Sequence, residues 1–194
     1  MTVSRPAAAD ASDDALDALA KARKDLKTLI APFDQVRVVG LLAEDVKSKG
    51  ELNVVMPDQL RWELFAPDSI VFWILKSGVY YKDAKGKVGK APPGAMGALA
   101  GDLLTFVGGD IKKLKGSYDI SASLESDGPV KIVALPKNDA TKKAIKRLEV
   151  VTNKERWGIS KIVIEEPNGD SSTITFGTNK KNAKIDAAKM KPPA

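Results

Sequence analysis

Three features of the sequence predict a mainly β, α+β fold built on an antiparallel sheet. Residues 50–75, GELNVVMPDQLRWELFAPDSIVFWIL, alternate apolar and polar side chains and are cut twice by a Pro-Asp pair. Each proline fixes its own φ, lacks an N–H donor and restricts the residue before it, so the stretch reads as three consecutive antiparallel strands. Short apolar runs separated by turn signals then recur through residues 117–177. Only two longer stretches, 12–30 and 94–107, carry apolar residues at helical spacing.

Taken in order, residues 1–11 are rich in Ala and Pro and are expected to form a flexible lead-in to a single domain over 12–194. Ser12 is a candidate helix cap, with Asp13 and Asp14 suited to the positive first turn. Leu16, Leu19, Leu26 and Ile30 share a face, and Ala31-Pro32 is expected to end this helix. A strand over 33–42 and a polar turn lead into 50–56. In the middle strand Leu60, Trp62 and Leu64 point one way and Arg61, Glu63 and Phe65 the other. The third strand is apolar in both phases, with Ile70, Phe72 and Ile74 opposite Val71, Trp73 and Leu75, so both of its faces need cover. The two helices are the candidate covers.

A short strand at 79–81 follows Ser77-Gly78, and residues 83–93 hold too many Gly, Lys and Pro for a long regular element and are expected to form a hairpin tip followed by an exposed loop. Residues 94–107, GAMGALAGDLLTFV, predict a helix apolar around most of its circumference and loosened by internal glycines, each costing about 1 kcal/mol relative to Ala. Such a helix suits a movable cover. A further helical turn is expected at 110–115, and strands at 117–124, 130–135, 144–152, 158–166 and 171–177. Asn168-Gly169 marks a tight hairpin between the last two, and a final strand is expected around 184–190.

Composition excludes much chemistry. The 194-residue chain has 43% hydrophobic residues and contains neither Cys nor His. Cys nucleophiles, imidazole bases, Cys/His zinc sites and disulfides are therefore impossible. The net charge of +6 permits attraction to nucleic acid or an anionic membrane. The lysines, however, fall in scattered groups at 82–90, 112–115, 142–146 and 180–191 and are not interleaved with aromatics, so no nucleic-acid partner is expected. Asp102 and Asp110 have nothing in the sequence that places them together for acid-base work. Gly86, Gly89 and Gly94 lack Walker spacing, and no Ser sits in a nucleophile elbow. No apolar run reaches transmembrane length, and 1–11 has no apolar signal-peptide core. The chain is either cytoplasmic or an exported protein whose signal has been replaced by an initiating Met. The apolar surplus fits a large core or the wall of a cavity closed by helix 94–107, and composition alone does not separate the two.

The order of features is similar to that of a known family. A helix followed by Phe33-x-Gln35, the segment GELNVVMPDQLRWELFAP, the Ser77-Gly78 turn before Tyr80-Tyr81 and the Leu103-Leu104 pair come first. Leu135-Pro136-Lys137, Asn168-Gly169-Asp170 and Pro192-Pro193 follow. In this order and spacing, over residues 13–193, the chain resembles the LolA-like periplasmic outer-membrane lipoprotein carriers.

The resemblance implies a curved antiparallel sheet forming an incomplete β-barrel, covered by an N-terminal helix and a central lid helix. It also implies acylated lipoproteins or other lipids as cargo, an inner-membrane ABC transporter as donor and an outer-membrane acceptor. A periplasmic monomer is expected, with its signal peptide removed and with no catalytic residue, cofactor or metal. By analogy Val54, Met56, Leu60, Trp62, Leu64, Ile70, Phe72 and Ile74 face the cavity, and Met96, Leu99 and Leu103 belong to the lid. Well-studied carriers hold an Arg, bonded to the lid, just before the strand-breaking Pro. Here Met56 stands there. The alternative on the same scaffold is a sensor or adaptor that binds lipid or lipoprotein without transporting it.

Overall fold

Apolar residues at every second position dictate where the sheet turns its inner face, and the strands follow that pattern. The computed structural model describes residues 7–91, 95–124 and 128–193, with the backbone alone given for 7–10 and 95–100. Five strands form the first half: β1 (Thr28–Val38), β2 (Val46–Val55), β3 (Gln59–Leu64), β4 (Ile70–Leu75) and β5 (Gly78–Lys82). A short β6 (Val88–Lys90) completes a hairpin with β5, in the segment where the sequence suggests a hairpin tip, and its pairing continues into the part expected to be an exposed loop. The second half holds β7 (Tyr118–Leu124), β8 (Val130–Pro136), β9 (Arg147–Thr152), β10 (Ile159–Glu165), β11 (Ser171–Phe176) and β12 (Lys180–Lys181).

All described pairings are antiparallel, in the order β6-β5-β4-β3-β2-β1-β11-β10-β9-β8-β7, with β12 also beside β1. The edge strands β6 and β7 do not pair with each other, so this 12-stranded curved sheet stays an open barrel. Its concave side holds the core. Leu29, Leu52, Leu60, Ile132, Leu148 and Ile162 are all buried there, together with Leu16 and Leu19 of helix α1 (Ala7–Arg23).

Helix α1 differs from the sequence expectation at both ends. It begins at Ala7, inside the expected lead-in, where Ala7-Ala8-Ala9 are strong helix formers. It ends at Arg23, seven residues before Ile30. Leu26 still packs into the core, which carries the helical spacing through a turn that is no longer helix. From Thr28 the spacing becomes two, with Leu29, Ala31 and Phe33 buried and paired to β2.

Pro32 therefore lies inside β1 rather than before it. Its carbonyl accepts from Gly177 N–H at 2.8 Å. Because the N and C=O of a strand residue face the same neighbour, its missing N–H faces the break between β11 and β12, where no ladder bond is lost. Residues 139–142 form a short helix, α3 (Asp139–Lys142), capped by Asn138, and β9 starts only at Arg147.

Both faces of β4 are covered, although not by the two helices. Helix α1 packs on β7 and β8, whereas helix α2 (Ala95–Gly108) packs over β4 and β5 on the concave side. The convex side is closed by residues 182–191. Trp73 Nε1–H donates to Lys189 O at 3.0 Å, Lys189 Nζ pairs with Glu51 at 2.7 Å, and Met190 is buried. Arg61 lies over the Trp73 ring and pairs with Glu63 at 2.6 Å. The final strand expected around 184–190 is absent. Asn182 takes a left-handed conformation (φ 56°) and turns the chain away from β1, while its side chain bonds Lys27 N and Asp25 O.

Candidate binding cavity

The strands on either side of β1 bring their inner faces together beneath α2. An aromatic floor forms from β1, β11 and β3, with β3 reaching β1 across Gly50 of the intervening β2. The Phe33 and Trp62 rings are 4.3 Å apart, and Phe176 meets both edge-on at 5.8 and 6.2 Å. The floor requires Gly50. A Cβ there would lie 2.0 Å from Glu63 O and 2.4 Å from Phe33 Cζ, so the Phe33 ring occupies the space a side chain would need.

Above this floor is a cavity of about 210 Å³. Trp62, Phe72, Ile74, Val79 and Ala91 form one wall, and Ile162, Ile164 and Ile174 the opposite one. Leu103 lines it from α2, and Gln35 and Ser172 are the polar side chains on its lining.

Of the residues placed at the cavity from sequence, Trp62, Phe72, Ile74 and Leu103 line it. Val54 and Leu60 belong to the same face but are completely buried in the core beneath. Leu64 packs against that core, and Ile70 is half-buried away from the lining. The side chains of Met96 and Leu99 lie outside the described residues. The wall from β10 and β11 is absent from the sequence-derived set. Its signal was present in the alternation of Ser160, Ile162, Ile164 and Glu166, which is apolar only in the middle and so reads as a partly wet face.

Helix α2 is held at its C-terminal half. Met56 packs against Gly108, where a Cβ would lie 2.7 Å from its sulfur. The arginine that bonds this helix comes from α1. Arg23 is buried, and its Nη1 donates to Phe106 O at 3.1 Å. A cation suits that position, because the carbonyls of a last helical turn lack intrahelical partners. Among the described residues, Arg23 Nε and Nη2 have no partner.

Burial lowers the Arg23 pKa to about 9, which leaves the guanidinium charged at neutral pH. It is thus a desolvated cation with one neutral acceptor. Arg23→Met keeps much of the volume and removes the charge, so it should raise the unfolding free energy by about 1–3 kcal/mol in urea titrations. Arg23→Ala also opens a void and should lower it by about 2–4 kcal/mol.

A second tie joins α2 to β7. Tyr118 Oη donates to Asp102 Oδ2 at 2.8 Å, and the Phe106 and Tyr118 rings meet edge-on at 5.6 Å. Asp102 is therefore tied to a phenol, while Asp110 caps the 3-10 turn at Ile111–Gly116 through Lys112 N. Desolvation raises the Asp102 pKa, and burial together with the Asp102 bond pushes the Tyr118 phenol well above its usual range. The folded chain then keeps a phenolic proton that the unfolded chain loses near pH ~10. The stability from this group is complete below that pH and is lost as pH rises through and beyond it. Wild type should lose more stability than Tyr118→Phe in urea titrations carried from pH ~9 to ~11.

Comparison with known proteins gives this geometry a family. The family model described as "Outer membrane lipoprotein carrier protein LolA" matches residues 24–192. The chain belongs to the LolA family. No curated protein sequence matches it. Among solved structures, a DUF1329 family protein from Desulfovibrio piger is similar with a TM-score of 0.54 at 9% identity, over 93% of this chain and 97% of that one. A LolA superfamily protein from Nitrosomonas europaea gives 0.50 at 8% identity, over 94% and 98%. The Pseudomonas aeruginosa MucA/MucB complex gives 0.52 at 14% identity, over 95% of this chain and 61% of that one. These likenesses carry the open LolA-type sheet and nothing finer. Among the described residues no helix is long and apolar enough to cross a membrane.

Proposed function

We propose that this LolA-family protein is a periplasmic carrier, not an enzyme, which holds the acyl chains of lipoproteins or another lipid in the cavity under α2. One observation carries the reading: a cavity whose lining is apolar except for Gln35 and Ser172 lies between two walls of an open sheet and under a helix. Each buried CH₂ contributes about 0.8 kcal/mol, so part of an acyl chain suffices for useful affinity. The cavity volume of about 210 Å³ is below the roughly 300–1,000 Å³ of clefts that hold drug-sized ligands. Loading a long chain therefore requires α2 to move. The glycines within it, Gly97 and Gly101, weaken the helix that has to move.

Cargo would come from an inner-membrane ABC transporter and pass to an outer-membrane acceptor, as in the carriers that give the family its description. An environment-sensitive acyl probe should bind with a blue shift and be displaced by long-chain lipid. A protein that leaves the probe in water has no such site. A second reading, a sensor or adaptor without transport, draws on the MucA/MucB complex, whose likeness to this chain is at the level of fold. Transfer of labelled lipid between vesicles separates the two, since a sensor binds without transferring.

A further inference from the structure

The turn between β1 and β2 projects apolar side chains into solvent. Leu41 is 97% exposed and Leu42 53%, with Val38 and Val46 also exposed at the ends of the two strands. Isolated exposed apolar residues are ordinary, but four within nine residues at the point of one hairpin form a patch. The point is held in place. Leu42 N–H donates to Val39 O at 2.9 Å, closing a turn that puts Leu41 outermost. Gly40 N–H donates to Asp170 Oδ1 at 3.0 Å, fastening the hairpin to the neighbouring β10–β11 turn. Phe65, in the next turn at this end of the sheet, is exposed as well, and its N–H bonds Lys49 O.

The position relates the patch to the cavity. Gln35 and Ser172, the polar lining residues, lie on the strands that run into this point: Val38 is three residues beyond Gln35, and Arg37 pairs with Ser172. The end of the cavity marked by those two side chains is thus the end from which the hairpin projects. Charge follows the same order. Glu44 and Asp45 flank the point, while Arg37, Lys47 and Lys49 stand further back along the strands. Arg37 pairs with Glu166 at 3.1 Å and Lys49 with Asp34 at 3.3 Å, so Lys47 is the cation of the three best placed to reach a headgroup layer once the apolar point is inside it.

We propose that the β1–β2 hairpin inserts Leu41 and Leu42 into the surface of a lipid bilayer, setting the Gln35/Ser172 end of the cavity toward the membrane. The inference rests on the acyl-carrier reading for its purpose, but membrane entry is measured separately.

The chain has no cysteine, so a single one can be labelled. Ala43→Cys, in the hairpin point, and Lys154→Cys, in the β9–β10 turn at the opposite end of the sheet, are each coupled to a polarity-sensitive fluorophore. They are then mixed with vesicles of phosphatidylethanolamine and phosphatidylglycerol. The label at 43 should brighten at least twofold and shift to the blue, and the label at 154 should not. In unlabelled protein, Leu41→Asp with Leu42→Asp should weaken vesicle flotation at least tenfold. Both positions are exposed, so thermal stability and acyl-probe binding in solution should stay at wild-type values.

A label at 43 that stays in water, or that responds only to a second copy of the chain or to a protein, overturns the proposal. So does an equal response at 154. Entry of the label without acyl-probe binding would leave the hairpin assignment standing and remove the carrier reading. The converse result would remove the hairpin assignment alone.

Discussion

Gly50→Ala is expected to lower the unfolding free energy by about 3 kcal/mol, and Gly50→Val to prevent folding. The first obstacle, at 2.0 Å from an ideal Cβ, is the backbone carbonyl of Glu63, which cannot move without shifting the β2–β3 pairing. The second is Phe33, pinned between Trp62 and Phe176. Relief by rotating Phe33 would break the floor of the cavity. The same change at Gly101 should have the opposite sign. Nothing lies within 4 Å of a Cβ there, and the position is inside α2, so Gly101→Ala should stabilise by about 0.5–1 kcal/mol. Urea unfolding of the two variants side by side checks both the magnitude and the reversal.

The second large effect is on binding. Leu103 is half-buried and reaches the cavity from α2, so Leu103→Trp fills ligand space without overpacking the core below. Displacing two methylenes of an acyl chain costs about 1.6 kcal/mol, more than a tenfold loss of affinity. The variant should therefore bind an acyl probe at least tenfold more weakly while its melting temperature stays level or rises. Leu103→Ala, which leaves the space open, should retain binding. Equal affinity for all three proteins would place the ligand elsewhere.

Much of this site was legible because strand alternation is a local property. Trp62, Phe72 and Ile74 follow from spacing between two Pro-Asp breaks, and the register puts Trp62 opposite Phe72 and Leu60 opposite Ile74. Alternation gives a face but no depth. Val54 and Leu60 share the cavity's face and are nonetheless sealed, because β2 and β3 lie deep in the core there. The wall from Ile162, Ile164 and Ile174 was hidden for the converse reason: its strands mix Ser, Thr, Lys and Glu with the isoleucines, and only the curvature of the sheet sets them across from β4.

Long-range ties were the least legible. Arg23 stands in the last turn of α1, and only tertiary packing buries it against Phe106 O. The Trp73–Lys189 bond likewise depends on where Asn182 sends the tail. Even the Asn168-Gly169 turn differs in detail. Gly169 alone takes positive φ, and its N–H bonds Glu166 O, so Pro167 begins an ordinary turn that Gly169 completes.

Native mass spectrometry of the protein, released gently from its own host without detergent exchange, tests the carrier claim most directly. A population heavier than the bare chain by the mass of one acylated molecule is expected, lost on mild activation and depleted in Leu103→Trp. Protein that emerges solely at the mass of the bare chain, and that also leaves an acyl probe in water, would contradict it.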